Sequence, residues 1–298
     1  MNKLNDLMKV VKNKKTKRLA VAACQDEEVL KAVIEAAEDD IVEPILIGDI
    51  DVTKNIASEN GLDVNKYEMI DCKDLQKSAE IAVKKVKNNE ADFVMKGLID
   101  TSILLKEVLN KEYGLRTESL LSHVMVYEVP AYHKLILLSD GGMNISPSID
   151  EKLSILKNAI KVSHSLGCKQ PKVAVLAAKE KVNPKMEATI DAEKLKKMWI
   201  SEDEENTAIV QGPMALDLAI SKKACEVKKY KSEVAGDADI LIVPNIEMGN
   251  GIGKSMTYFG QGKSAGIIMG AKVPVVLVSR ADTHESKLYS IALGSVIA

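Results

Sequence analysis

Short runs that are apolar on every residue alternate with longer amphipathic segments along most of this 298-residue chain. Strand-like runs fall at 18–24, 43–48, 67–70, 91–96, 124–129, 134–138, 172–177, 208–210, 239–243 and 273–279. Patterns of helical period fall between them at 27–38, 75–87, 102–109, 149–166, 192–198 and 287–293. A strand that is apolar on both sides must be covered on both sides, and a helix between two such strands returns the chain so that they run parallel. The alternation therefore predicts βαβ units and an α/β fold with mainly parallel sheets. In such folds ligands bind beyond the carboxyl ends of strands. The tails of the strands are where chemistry is expected.

The alternation breaks once. Residues 124–138 hold two strand-like runs joined by Pro130-Ala-Tyr-His133, which predicts an antiparallel hairpin or protruding arm. The turn-rich stretch Ser139-Asp-Gly-Gly-Met-Asn-Ile-Ser-Pro-Ser148 follows and opens a new helix. A domain boundary is expected there, giving a first α/β domain of 1–140 with 284–298 and a second of 141–283. The length allows one large or two medium domains, and no solenoid repeat or low-complexity tract is visible.

A net charge of −2 argues against a general nucleic-acid binder, and two Phe with one Trp leave few platforms for stacked bases. The basic run at 12–18 reads as a solvated connection. No stretch reaches the ~18 apolar residues of a membrane helix. Met-Asn-Lys-Leu-Asn-Asp-Leu-Met lacks a signal peptide's apolar centre. Cys24, Cys72, Cys168 and Cys225 form no CxxC pair and read as reduced thiols, so a cytoplasmic protein is expected.

Only Arg18, Arg116 and Arg280 among the 41 basic residues are arginine. The planar guanidinium grips a phosphate or carboxylate bidentately, which an ammonium cannot do. Arg280 ends the apolar run at 273–279, where an α/β protein places its site. Arg116 lies in Gly114-Leu-Arg-Thr-Glu-Ser-Leu-Leu-Ser-His123, where a surface role and an anion-binding role are both open.

Asp239-Ile-Leu-Ile-Val-Pro-Asn245 leads into Ile-Glu-Met-Gly249-Asn-Gly-Ile-Gly-Lys-Ser255. The spacing fits neither GxxxxGK[ST] nor GxGxxG, so the P-loop and dinucleotide readings fail. A glycine turn could serve helix–sheet packing alone. The expectation is instead a turn whose backbone N–H groups bind an anion, with Lys254-Ser255 opening the helix. Met95-Lys96-Gly97-Leu-Ile-Asp100-Thr101 is a second strand tail. Capping can account for Asp100 and Thr101, but not for Lys96. His123, His133 and His164 read as structural histidines. No GxSxG, HExxH or EF-hand pattern occurs and the acidic residues are scattered, so no metal site is expected. Backbone amides, lysines and arginines at strand tails suit a phosphate-bearing small molecule.

These residues resemble the phosphate acetyl/butyryltransferase family over essentially the whole chain. The resemblance is carried by Pro244-Asn-Ile-Glu-Met-Gly-Asn-Gly-Ile-Gly-Lys254 and by Ser279-Arg280 with Tyr289-Ser-Ile-Ala-Leu293 behind it. Lys96-Gly97 with Thr101, and Ser139-Asp140 with Asn144 and Pro147, support it. It implies two α/β domains with a cleft between them, similar to isocitrate/isopropylmalate dehydrogenases, and a homodimer or higher homo-oligomer. The implied reaction interconverts butyryl-CoA and phosphate with butyryl phosphate and CoA. Coenzyme A is then a substrate, and neither a cofactor nor a metal is expected.

By the same resemblance Ser279 meets the acyl carbonyl, Arg280 binds phosphate and Arg116 is a second anion-binding arginine. Lys96, Gly97, Thr101, Ser139, Asp140, Asn144, Asn245, Gly249, Asn250, Gly253 and Lys254 become substrate-binding candidates. Family acetyltransferases carry an aspartate seven residues after the serine as a base for the CoA thiol, and here that position is Ser286. Glu285 beside it is the candidate base; Asp282, His284 or no dedicated base are the alternatives. Rival readings are an acetyl or branched acyl preference, a decarboxylating dehydrogenase of similar fold, and a non-catalytic CoA- or phosphate-binding protein.

Overall fold

A computed structural model describes residues 1–12, 14–279 and 282–298. The first elements are α1 (Leu4–Val11), β1 (Lys17–Ala22), α2 (Glu27–Glu38), β2 (Val42–Gly48), α3 (Ile50–Glu59), β3 (Glu68–Asp71), α4 (Leu75–Lys87), β4 (Phe93–Lys96) and α5 (Thr101–Val108). Next come β5 (Ser122–Glu128), β6 (Ile136–Ser139), α6 (Ile149–Ser165), β7 (Lys172–Leu176), α7 (Glu187–Glu202), β8 (Ile209–Met214), α8 (Leu216–Ile220) and α9 (Lys222–Lys228). The chain closes with β9 (Ile240–Ile242), α10 (Ile246–Tyr258), β10 (Lys263–Met269), β11 (Val275–Val276) and α11 (His284–Ile297). None of these helices is long and apolar enough to cross a membrane.

Two compact units result. A terminal unit comprises Asn5–Ser119 with Ala265–Ala298, and a central unit comprises Leu120–Ser264 with Met1–Leu4. These limits differ from the expected 1–140 with 284–298 and 141–283. The hairpin accounts for one shift. β6 is laddered to β9, Leu137 against Ile240, which ties β5 and β6 to the elements that follow them in sequence. β10 and β11 account for the other, because β11 ladders with β4 from the first half of the chain and β10 ladders with β11.

In the terminal unit the strand order is β3-β2-β1-β4-β11-β10. All neighbours are parallel except β10, which runs antiparallel to β11. The mostly parallel sheet follows from strands such as β4, in which Phe93 to Lys96 are all buried. α2 begins where Asp26 accepts the Val29 N–H at 2.9 Å, and it buries Val29, Leu30, Val33 and Ile34. β11 is shorter than the run at 273–279, since only Val275 and Val276 ladder with β4; Pro274 before them has no N–H to give. α11 is buried from Lys287 to Val296 rather than being amphipathic.

In the central unit the order is β5-β6-β9-β7-β8, with β5 antiparallel to β6 and the remaining pairs parallel. The expected hairpin is present, with Met125 opposite Leu138 and Tyr127 opposite Ile136. Tyr127, Ile136, Leu138, Leu176, Met214 and Leu241 belong to one buried apolar cluster. α6 opens with a reciprocal box in which Ser148 N–H donates to Glu151 at 2.7 Å and Glu151 N–H donates to the Ser148 hydroxyl.

Candidate active site

The carboxyl ends of β1, β4 and β11 meet at one edge of the terminal sheet, because the three strands are parallel neighbours. Gly97 crosses the end of β1 there. A Cβ on Gly97 would lie 2.2 Å from the Ala23 carbonyl oxygen, so only glycine allows the approach. Gly97 N–H donates to the Ala22 carbonyl at 2.8 Å, and Leu98 N–H to the Ala23 carbonyl at 2.7 Å. Lys96 is buried, with its ammonium folded over the following turn to donate to the Ile99 carbonyl at 3.0 Å. Asp100 holds the N-cap position of α5 without a side-chain cap bond, and Thr101 is the first helical residue. Side-chain capping therefore does not explain the Asp-Thr pair.

Ser279 follows β11 at the same edge and is exposed. Its N–H donates to the Asp282 carboxylate at 2.8 Å, and Asp282 N–H returns a bond to the Ser279 carbonyl at 3.1 Å. Buried Lys287 donates to the Asp282 carbonyl and fastens the turn to α11. Arg280 lies outside the described residues. Thr283 caps α11 by accepting from Ser286 N–H at 3.3 Å. Of the candidate bases, Glu285 accepts from Tyr289 Oη at 3.3 Å, and His284 Nε2 stands 3.3 Å from Glu35 on α2. Asp282 is occupied in closing the turn. Its alignment was not foreseen, although Ser followed three residues later by Asp is a common turn pairing.

Cys24 lies just past the end of β1, buried beside Thr53. Burial pushes its thiol up to about 11, against a smaller opposing effect of the Thr53 hydrogen bond. A thiol held protonated is a poor nucleophile.

In the central unit, the tails of β6 and β9 form a second edge. Asp140 is buried and its carboxylate points inward. It accepts from the N–H groups of Gly142 at 2.8 Å, Met143 at 3.0 Å and His123 at 3.1 Å, and from Asn144 Nδ2 at 2.6 Å. The Ser139 hydroxyl donates to the His123 carbonyl at 2.9 Å. Both side chains shape the 140–147 turn from within. Asn144 also donates to the Leu121 carbonyl at 3.0 Å.

The glycine-rich segment is not the expected turn. α10 already begins at Ile246, capped by Asn245, which accepts from Met248 N–H at 3.0 Å. Gly249, Gly251 and Gly253 lie inside the helix, and Lys254-Ser255 lie well within it instead of opening it. Interior N–H groups are spent on the helix's own ladder, so anion binding by a Gly249–Gly253 turn is ruled out. Close packing explains two of the glycines. A Cβ on Gly249 would lie 2.6 Å from Gly141 Cα, and one on Gly253 would lie 2.6 Å from Tyr127 Oη. A Cβ on Gly251 would meet nothing within 4 Å. Asn250 and Lys254 are on the exposed side of α10, with Lys254 Nζ 5.9 Å from the Tyr258 ring centre.

Arg116 is not brought to Lys96 and Ser279. Leu115 accepts from Lys272 N–H at 2.9 Å, and Thr117 donates to the Gly270 carbonyl. Residues 270–272 join β10 to the start of β11, so exposed Arg116 stands at the amino edge of the terminal sheet, opposite Ser279. Arg18 bonds Glu68 at 2.6 Å on the surface. His133 and His164 are structural, bonded to Asp237 at 2.8 Å and to the Thr207 carbonyl at 3.0 Å. Asp237 also takes Lys172 at 2.6 Å and Lys134 at 3.1 Å. Burial would raise its carboxyl, but the bonds from Lys172, His133 and Lys134 outweigh it and hold the group well below the usual range. Among the described residues, no group of three His, Cys, Asp or Glu side chains is arranged to hold a metal ion.

The family model described as phosphate acetyl/butaryl transferase matches residues 3–84 and 72–295. A phosphate butyryltransferase of Clostridium acetobutylicum is 45% identical over 99% of this chain and 97% of its own. A phosphate acetyltransferase of Thermotoga maritima is 42% identical over 95% and 96%. A solved structure, a branched-chain phosphotransacylase from Enterococcus faecalis V583, is similar with a TM-score of 0.84 and 37% identity, covering 95% of this chain and 99% of that one. With the strand-tail serine, the buried lysine beside it and full-length likeness in hand, the chain belongs to the phosphate acetyl/butaryl transferase family.

Proposed function

We propose that this protein interconverts butyryl-CoA and phosphate with butyryl phosphate and CoA by direct acyl transfer in a ternary complex. The observation that carries the reading is exposed Ser279, fixed by Asp282 at the tail of β11, next to the tail of β4 with its buried Lys96. In the acyl-CoA direction a phosphate oxygen attacks the thioester carbonyl carbon, the tetrahedral intermediate collapses, and the C–S bond breaks to release CoA. Ser279 Oγ–H and backbone N–H groups stabilise the oxyanion, and Arg280 holds the phosphate bidentately. A large fraction of phosphate is dianionic near neutral pH, and the dianion attacks without a base. Holding both substrates together supplies much of the rate. Glu285 takes the thiol proton in the reverse direction and passes it to the departing phosphate; in the forward direction it relays the proton that the attacking phosphate gives up to the leaving sulfur. The inert Cys24 thiol supports direct attack over an acyl-cysteine route.

Lys96, Gly97 and Thr101 in the terminal unit are proposed substrate-binding residues, as are Asn144, Asn245, Asn250 and Lys254 in the central unit. Ser139 and Asp140 act by shaping the 140–147 turn, and Gly249 and Gly253 by letting α10 pack closely on Gly141 and Tyr127. Arg116, at the opposite edge from Ser279, has no assigned step. An isocitrate/isopropylmalate dehydrogenase-like architecture, a homo-oligomer and a cytoplasmic location complete the reading, supported by the two mainly parallel α/β units and the family membership. A phosphate acetyltransferase is the second reading, favoured by the 42% identical relative of that name.

The test measures CoA release with a thiol reagent from acetyl-CoA and butyryl-CoA, with and without phosphate. Phosphate-dependent release with the higher kcat/KM for butyryl-CoA is expected, and a higher value for acetyl-CoA selects the second reading. A burst of CoA without phosphate would mean an acyl-enzyme and overturn direct transfer.

A further inference from the structure

Resting on the acyl-transfer reading above, we propose that the buried ammonium of Lys287 is a fixed counter-charge for the phosphate bound beside Ser279. Lys287 is the fourth residue of α11 and 3% exposed. Helical side chains lean toward the helix N-terminus. Its ammonium accordingly reaches back to the turn that carries Ser279 and donates to the Asp282 carbonyl. Asp282 directs its carboxylate to the Ser279 N–H at 2.8 Å. Among the described residues, no carboxylate forms an ion pair with Lys287. Ser279, Asp282 and Lys287 all belong to the terminal unit.

A cation in that place is disfavoured twice. One carbonyl replaces only part of the hydration that a buried ammonium gives up, and no paired carboxylate makes up the difference. The amino end of a helix is also the wrong end for positive charge, because the unpaired N–H groups there form the positive pole of its dipole. Fastening a carbonyl needs no charge, and a neutral donor does it with less desolvation. An anion bound at the same turn offsets both penalties, and the acyl-transfer reading puts a phosphate dianion there. Lys287 is then a positioning residue. It strengthens binding of phosphate in one direction and of the phosphoryl group of the acyl phosphate in the other.

The experiment measures initial rates of CoA release against phosphate and against acyl-CoA concentration for wild type, Lys287→Met and Lys287→Gln. Methionine fills the space with an apolar chain, whereas glutamine keeps an N–H donor for the Asp282 carbonyl without the charge. Both variants are expected to raise KM for phosphate about tenfold, with kcat and KM for acyl-CoA within about threefold of wild type. Wild-type KM for phosphate in the glutamine variant would make the hydrogen bond, not the charge, the function of Lys287 and overturns the proposal. So does a fall in kcat with KM for phosphate unchanged, or unfolding of both variants, which would make the ammonium a requirement of the fold. Loss of fold in the methionine variant alone leaves the glutamine variant to decide. Wild type that releases no CoA with phosphate defeats the acyl-transfer reading instead.

Discussion

Gly249→Ala and Gly251→Ala place the same methyl group on the same helix two residues apart, and they are expected to act in opposite directions. In an exposed helical position the change from glycine to alanine stabilises by roughly 0.5–1 kcal/mol, through the lower conformational freedom of the unfolded chain. Gly251 receives that gain in full, because its new Cβ meets nothing within 4 Å. At Gly249 the methyl carbon would lie 2.6 Å from Gly141 Cα, 2.8 Å from the Asp140 carbonyl oxygen and 2.9 Å from Val243 Cγ2. Two of those atoms are backbone of a turn tied down by the Asp140 carboxylate, so α10 itself must move outward. Overpacking costs about 1–3 kcal/mol, and three contacts under 3 Å put this case at about 2–3 kcal/mol, which leaves a net loss of about 1–2.5 kcal/mol. For units of this size a kcal/mol shifts the midpoint by about 2–4 °C. Calorimetry should therefore show Gly249→Ala lower by about 2–10 °C and Gly251→Ala higher by about 1–4 °C. A Gly249→Ala protein as stable as Gly251→Ala would refute the packing account of the glycine-rich segment.

Arg280→Lys should lower phosphate-dependent kcat/KM about 10–100-fold, the value of one lost charge-assisted hydrogen bond, and steady-state kinetics against phosphate concentration will read it. Near-wild-type activity would remove the bidentate role. Asp282→Ala should lower kcat about tenfold by freeing the Ser279 turn, whereas Asp282→Asn keeps an acceptor for the Ser279 N–H and most of the rate. Equal losses in the two variants would instead favour Asp282 as a base. Asp237 has a folded-state pKa below its unfolded value, so its contribution to stability is present above about pH 4 and fades as pH falls through the folded pKa. Asp237→Asn should thus be about 1–3 kcal/mol less stable than wild type at pH 7, with the gap narrowing below about pH 4 in denaturation followed across pH. A gap independent of pH would contradict that linkage.

The parallel strands and the hairpin were legible because apolar runs and their spacing carry them directly. α10 was not. Ile-Glu-Met-Gly-Asn-Gly-Ile-Gly reads as a turn by local propensity, and it is helical because Gly249 and Gly253 let it press against Gly141 and Tyr127. β10 was missed as well, since Lys-Ser-Ala-Gly precedes its apolar end and interrupts the run. α3 escaped because it buries little beyond Thr53 and Ala57. At the site, Ser279 and Lys96 were legible as polar residues ending apolar strands. The direction in which a carboxylate points is not written in spacing, so inward-facing Asp140 could not be told from a ligand-facing one. Nor could Arg116 be assigned to an edge before the link between Leu115 and Lys272 was known.

The interleaving of the two units also orders events during synthesis. The central unit is almost continuous in sequence and can close once residue 264 has left the ribosome. The terminal unit begins first but finishes last, because β11 lies beside β4 in its sheet. Until β11 arrives, β4 has β1 on one side and an unladdered row of amides and carbonyls on the other, an edge open to misassociation. Ser279 comes three residues after the strand that covers this edge. A nascent chain halted before Ala265 would therefore carry a finished central unit, an unprotected β4 and no acyl-transfer chemistry.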